Sequence, residues 1–129
     1  MGVLVKKITL TPADIYALNA TPQNMLAAPA VGYANNILAI THEMIFNSAA
    51  YTNGSLMTYG NTNDNTDYLY IDNNILPAVA DYHKPVSKTD AAATVFITTK
   101  DFYLTTDLAC ADGDSDIDVY IAYEVKPIS

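Results

Sequence analysis

The stretch Ile117-Asp118-Val119-Tyr120-Ile121-Ala122-Tyr123-Glu124-Val125 carries the clearest structural pattern in the chain. Large apolar residues stand at every second position, and mostly more polar residues stand between them. A period of two places alternate side chains on opposite faces of a β-strand, so one face is expected to cover a core and the other to face a wetter side. Pro127 has no backbone N–H to donate, so the strand is expected to end there.

Shorter stretches of the same kind lie on the N-terminal side of this strand. They are rich in Thr, Tyr, Val and Ile, which suit a pleated sheet. In the longest of them we expect Leu38, Ile40, Met44 and Phe46 to share one face, and His42 falls in the same series. The predicted strands are Val3–Leu10, Asn36–Phe46, Ser55–Tyr59, Asp67–Ile71, Thr94–Thr99 and Phe102–Thr105.

Helical signals are few, and polar turns separate the strands. Thr11 followed by Pro12 is a typical helix start and predicts one or two turns over Ala13–Leu18. Asn73–Ala80 is ambiguous, because Pro77 would interrupt a helix there. The turn signals are the hairpin dipeptide Asn53-Gly54, the polar loop 60–67 and the tight acidic turn Ala111–Ser115. Short strands at this spacing predict an all-β fold: a single β-sandwich or jelly-roll-like domain over residues 1–129, with one or two short helical turns.

Composition excludes several classes of function. The chain has 129 residues, a net charge of −8, six Lys and no Arg, which argues against binding nucleic acid or an anionic membrane surface. No apolar run approaches the roughly 20 residues of a membrane span. The first charges follow the apolar residues, so we expect no export signal. Cys110 is the single cysteine, and we expect a small buried apolar residue rather than a reactive thiol.

No catalytic signature assembles from the Ser, His and Asp residues, so we expect no enzyme activity. His42-Glu43 begins like a zinc-protease motif, but the second histidine would fall on Phe46. His83 lies in Asp81–Pro85, which is typical of a surface turn. We expect both histidines to be structural or solvated rather than ligands.

The acidic turn is the strongest candidate for a binding site. Asp112, Asp114 and Asp116 alternate, as oxygen ligands do at the start of a calcium loop. An EF-hand starting at Asp112 requires Gly and Glu where Ile117 and Tyr123 stand, so that motif fails. Two interpretations remain open: the carboxylates shape the turn and the exposed face of the last strand, or they hold a cation such as calcium.

The aromatic composition is also biased, with ten tyrosines and no tryptophan. Tyrosine packs at a core edge, fills subunit interfaces and stacks on sugars. We expect the core edge for most of them. Tyr120 is predicted on the same face as Asp118 and Glu124, where it could contact a partner.

Four segments of the chain have motifs that occur together in one known group of proteins. The opening Ile8–Pro22 resembles a strand that runs into a short helix and a Leu-Asn-Ala-Thr-Pro stretch, and Met25–Tyr33 resembles the turn into a long strand. Asn47–Gly54 is similar to a Thr-Ala-Tyr loop, and Leu56–Gly60 is similar to the Tyr-Gly strand end that follows it. Gly113–Ser115 is similar to a Gly-Asp-Gly turn and Asp118–Tyr123 to a final Val-Tyr-x-x-Tyr strand, although Ala30 and Ser115 replace expected glycines. Together the four segments resemble small structural proteins of tailed-phage particles.

The resemblance implies a non-catalytic virion protein on the phage surface, assembled in the host cytoplasm. One interpretation is a capsid decoration (cement) protein, a homotrimer seated on the major capsid protein or another virion protein. The alternative is an exposed fibre or spike module that binds host glycan. Neither interpretation requires a cofactor.

Overall fold

The computed structural model describes residues 2–61, 68–90 and 95–128. They form an almost entirely β structure with one short helix. In chain order the elements are β1 (Leu4–Leu10), α1 (Pro12–Ala17), β2 (Gln23–Leu26), β3 (Tyr33–Met44), β4 (Met57–Gly60), β5 (Tyr70–Asp72), β6 (Tyr82–Pro85), β7 (Ser87–Lys88), β8 (Val95–Ile97), β9 (Phe102–Thr106) and β10 (Ile117–Pro127). The all-β sandwich expected from the sequence is confirmed.

Two antiparallel sheets of five strands make up the sandwich. Sheet 1 has the order β1-β10-β3-β6, and β8 also pairs with β3. Sheet 2 has the order β2-β9-β4-β5-β7. The strands of sheet 1 are therefore contributed by both ends and the middle of the chain, and β10 lies between β1 and β3.

The apolar alternation predicted for the last strand is confirmed in β10 from Ile117 to Ile121. Ile117, Val119 and Ile121 are fully buried, whereas Asp118 and Tyr120 on the other face are partly exposed. Burying each large aliphatic side chain stabilises the fold by about 1.5–3 kcal/mol. Pairing ends at Pro127, opposite Tyr33, as the missing N–H predicts.

The predicted face of β3 is wrong at Leu38. Ala122 pairs with Ala39 and Tyr123 pairs with Ile37, so Leu38 is an extra residue in a β-bulge. The bulge shifts the alternation, so that Ile37 is buried and Leu38 is 42% exposed. Ile40, His42 and Met44 do share the buried face, while Phe46 lies beyond the strand and only packs against the core.

Aromatic residues of sheet 2 fill the centre of the sandwich. The rings of Tyr59 and Phe102 are stacked with centroids 5.6 Å apart, and Tyr70 meets Phe102 edge-on at 6.4 Å. All three side chains are buried. Such contacts add about 0.5–1.5 kcal/mol each to the burial of the rings.

The helix α1 begins where Thr11 predicts. The Thr11 backbone N–H donates to Asp14 Oδ2 at 2.9 Å, and the Asp14 N–H donates to Thr11 Oγ1 at 3.3 Å, which completes a capping box. Ile15 and Leu18 are buried against the core. In the described part of the chain, no helix has the length and hydropathy that crossing a membrane requires. The ambiguous segment Asn73–Ala80 forms turns.

Two turn predictions are wrong. Asp81–Pro85 is not a surface turn, because Tyr82 to Pro85 pair with Met44 to Thr41 as β6. Asn53-Gly54 does not close a hairpin: Asn53 has a φ of 70°, and Thr52 forms an isolated bridge with Ala111. The strands β2 and β7 were not predicted. The predicted loop 60–67 and the predicted strand starts at Asp67 and Thr94 lie mostly or wholly outside the described residues.

Candidate functional site

The carboxylate of Asp114 holds the chain that follows β3. It accepts hydrogen bonds from Asn47 Nδ2 at 2.9 Å, from the Ser48 N–H at 3.1 Å and from the Ala49 N–H at 2.9 Å. The Ser48 hydroxyl also donates to it. The Ser48 hydroxyl and the backbone N–H groups favour the ionised form and lower the pKa of Asp114 to about 2. Asp114 therefore connects two loops that lie far apart in sequence.

Two other aspartates act in the same way on neighbouring loop residues. Asp112 has a φ of 64°, and its Oδ2 accepts from Thr52 Oγ1 at 2.6 Å. Asp107 accepts from the Ser55 and Leu56 N–H groups at 2.9 and 3.0 Å. Burial alone would raise the pKa of Asp107, but these N–H groups and the Ser55 hydroxyl outweigh it, and the pKa is lowered.

The carboxylates of Asp112, Asp114 and Asp116, the three predicted metal ligands, do not converge on one point. Asp112 and Asp114 are bonded to different parts of the 47–52 loop, and Asp116 is exposed. Within residues 2–61, 68–90 and 95–128, no group of three or more His, Cys, Asp or Glu is placed to hold a metal ion. Cation binding by this turn stays a prediction.

Two tyrosines hold the backbone of the acidic turn. Tyr51 donates from its hydroxyl to the Ser115 carbonyl at 2.6 Å, and Tyr16 donates to the Gly113 carbonyl at 2.5 Å. The two rings meet edge-on, with centroids 6.0 Å apart. A Cβ at Gly113 would lie 2.2 Å from the Tyr51 ring, so only glycine fits there. The turn is thus fixed by contacts from α1 and from the loop after β3.

An open groove of about 490 Å³ runs from this turn over the outer face of sheet 1. On one side Asp118 accepts from Thr9 Oγ1 at 2.6 Å and lies 3.8 Å from Lys7 Nζ. On the other side His83 Nδ1 lies 2.8 Å from Glu43. Exposed Asp116 and Ile45 also line the groove. The groove is polar and mostly acidic, and most of its carboxylates already have partners.

A buried polar network joins the two sheets in the interior. His42 of β3 is fully buried, and its Nδ1–H donates to Asp72 Oδ2 at 2.7 Å. The Tyr59 hydroxyl of β4 lies 2.5 Å from His42 Nε2, which accepts its hydrogen. Tyr82 of β6 donates to Asp72 Oδ1 at 3.1 Å. This assignment of hydrogens gives each group in the chain a partner.

The electrostatics of the network favour an ionised Asp72. Burial by itself raises the pKa of Asp72, but the hydrogen bond from His42 and the N–H groups of Asn74 and Ile75 outweigh it, and the pKa is lowered. Burial, and then the charge of Asp72, raise the pKa of Tyr59. The same two causes and a hydrogen bond to Asp72 raise the pKa of Tyr82 to about 12.

Tyr59, His42 and Asp72 are hydrogen-bonded in the order of a catalytic nucleophile, base and acid. All three side chains, however, lie inside the core. The side chains of His42 and Asp72 are 0% and 2% exposed, and Tyr59 is fully buried, so no substrate reaches these atoms. The prediction that His42 has a structural role is compatible with this geometry. Asp72 and Tyr59 were missed. The one sign of this network in the sequence was that His42 lies in the apolar series of a predicted strand, where a buried polar side chain requires a hydrogen-bond partner.

Cys110 is buried, as expected. Burial raises the pKa of its thiol. Its Sγ donates weakly to the Leu108 carbonyl at 3.8 Å. A raised pKa disfavours the thiolate that a nucleophile needs.

Comparison with known proteins identifies a structural likeness. No protein-family model matches the sequence, and no curated protein matches it. A chain of the solved cyanophage Pam1 capsid asymmetric unit has a similar structure, with a TM-score of 0.59 and 14% sequence identity. The likeness covers 98% of this chain and 84% of that chain. It extends over the whole sandwich, and at this identity it is a likeness of fold.

Proposed function

We propose that this chain is a non-catalytic structural protein of a phage particle, and more narrowly a decoration protein that binds the outside of the head. The observation that carries the proposal is the likeness of nearly the whole chain to a chain of a phage capsid asymmetric unit. The segments that resemble tailed-phage virion proteins add separate support, because they are a likeness of sequence motifs, whereas the capsid chain is similar in fold.

The internal design of the molecule suits a passive role. Its hydrogen-bonded carboxylates hold parts of the fold together. Asp114 binds the loop after β3, and Asp72 joins the two sheets. A decoration protein binds a lattice in many copies, and together their weak contacts supply binding energy that one contact does not. Such a protein requires rigidity and surface complementarity rather than a reactive centre.

The test uses phage heads that lack this protein. Purified protein is added back, and the particles are imaged and heated. A decoration protein occupies regular lattice positions and raises the temperature at which the heads release DNA. Density at a single vertex or on the tail, together with loss of adsorption when the protein is missing, would favour the fibre or spike alternative. Absence from the particle in both tests would refute the virion proposal.

A further inference from the structure

Exposed aliphatic side chains are concentrated at one end of sheet 1. Because β10 is antiparallel to both β1 and β3, the start of β1, the end of β10 and the start of β3 meet at the same end. We call six residues there the apolar end: Val3, Leu4, Val5, Val31, Leu38 and Ile128. All six are more than 40% exposed, and they make up six of the nine exposed Val, Leu and Ile residues of the described chain.

The strand registers place these residues along one end of sheet 1. Leu4 is opposite Tyr123, which is opposite Ile37, and Leu38 is next in the bulge. Pro127 is opposite Tyr33, and the Ile128 N–H donates to the Gly32 carbonyl at 2.8 Å. From Tyr123 to Ile128 is five residues, or about 17 Å of strand. Exposed apolar side chains gathered at one end of a sheet indicate an interaction surface.

Most carboxylates of sheet 1 and its loops lie at the end away from the apolar end. At the apolar end the charged residues of β1 and β10 are Lys6 and the pair Glu124 and Lys126, whose Oε1 and Nζ are 3.7 Å apart. The other end of sheet 1 and the loops attached to it carry seven carboxylates. They are Asp14, Glu43, Asp81, Asp112, Asp114, Asp116 and Asp118. Lys7 and Lys84 offset only two of these seven charges. The loop 98–101 beside the apolar end adds one Lys and one Asp, which cancel. Among the described residues, sheet 1 and its loops therefore have one apolar, nearly neutral end and one acidic end.

From this distribution we infer that copies of this chain associate through the apolar end. The inference deepens the proposed function and rests on it for the expectation of an oligomer. Copies that meet at the apolar end bury aliphatic surface and keep their acidic ends apart, whereas any arrangement that brings the acidic ends together opposes like charges.

Pairing of two β1 edges is a different mode of contact that the sequence opposes. β1 is an edge strand with β10 on one side. Lys6 and Lys7 stand in its middle and project to opposite faces, so an antiparallel β1–β1 pair brings four lysines together. Copies therefore meet through side chains of the apolar end rather than by extending sheet 1.

The experiment measures mass in solution for three matched proteins. The first is the wild type, the second is Val5→Glu with Val31→Glu, and the third is Ile45→Glu with Val79→Glu. The control pair is 71% and 73% exposed, lies away from the apolar end, and adds the same charge. Light scattering and sedimentation are recorded from micromolar to millimolar protein. Melting temperatures verify folding, and Val5→Ser with Val31→Ser replaces the Glu pair if that variant does not fold.

We expect the wild type and the control to have a multiple of 14.0 kDa and the apolar-end variant to have 14.0 kDa itself, or to associate at least about tenfold more weakly. Equal association of all three proteins would overturn the inference, and so would a wild type that stays monomeric throughout. Binding to phage heads is measured in parallel. A monomeric wild type that still binds heads would refute this inference and leave the proposed function intact. An oligomeric variant that no longer binds heads would mean that the apolar end faces the shell instead.

Discussion

Asp72 is the residue on which the contact between the sheets depends most. Its carboxylate accepts from His42 of sheet 1 and from the Tyr82 hydroxyl, and its own backbone belongs to sheet 2. An ionised carboxylate accepts all of these hydrogen bonds, whereas a protonated or amide group must turn a donor toward one of them. Removing the charge therefore leaves buried donors unpaired rather than only weakening one contact.

We expect Asp72→Asn to destabilise the fold by about 1–3 kcal/mol, as leaving a buried hydrogen-bond donor without an acceptor does. The matched control is Glu43→Gln, which breaks the exposed pair with His83 and should cost about 0–1 kcal/mol. Denaturant unfolding at pH 7 measures both. Similar costs for the two variants would mean that the buried network contributes no more than a surface pair.

Acid should destabilise the protein through its hydrogen-bonded carboxylates. Folding lowers the pKa of Asp72, Asp107 and Asp114, the last to about 2. The stability that they contribute is fully present above the unfolded value of about 3.9 and is lost as the pH falls through the lower folded values. Melting temperatures from pH 7 to pH 2 should fall steeply only below about pH 4. A flat profile there would contradict the lowered pKa values.

Among the elements, β10 is the one that the sequence predicts best. Its alternation is maintained by two long antiparallel neighbours, so the local pattern and the tertiary environment agree. The bulge at Leu38 was not predictable, because it arises from the register between β3 and β10 rather than from residues 36–46 alone. The roles of Asp114 and Asp72 were hidden for a similar reason: their partners lie about 65 and 30 residues away in sequence.

The two faces of β10 should respond differently to truncation. Ile121→Ala removes a fully buried side chain and should cost about 2–5 kcal/mol, because it leaves a cavity. Asp118→Ala removes only exposed or partly exposed contacts to Thr9 and Lys7 and should stay near about 0.5 kcal/mol. Urea unfolding compares them directly. Equal costs would mean that burial does not dominate this strand.

The acidic turn gives a test of the cation that the alternating aspartates suggest. Asp114 already accepts four hydrogen bonds, so the turn has a structural role without an ion. If a cation also binds, calcium should raise the melting temperature by several degrees, chelator should reverse the shift, and Asp114→Asn should abolish it. If calcium has no effect on the wild type, the cation interpretation is refuted and the loop contacts account for the turn.

At the scale of the whole molecule, the charge asymmetry makes a prediction about salt. The net charge is −8, and most of the carboxylates of sheet 1 and its loops lie at the end away from the apolar end. Raising the salt from about 0.01 M to about 1 M shortens the Debye length from about 30 Å to about 3 Å and removes most of the repulsion between copies. Contacts between aliphatic side chains do not weaken under this change. Self-association should therefore become stronger with salt, measured by sedimentation of the wild type across this range. An interface built on ion pairs would weaken instead, and that result would contradict association through the apolar end.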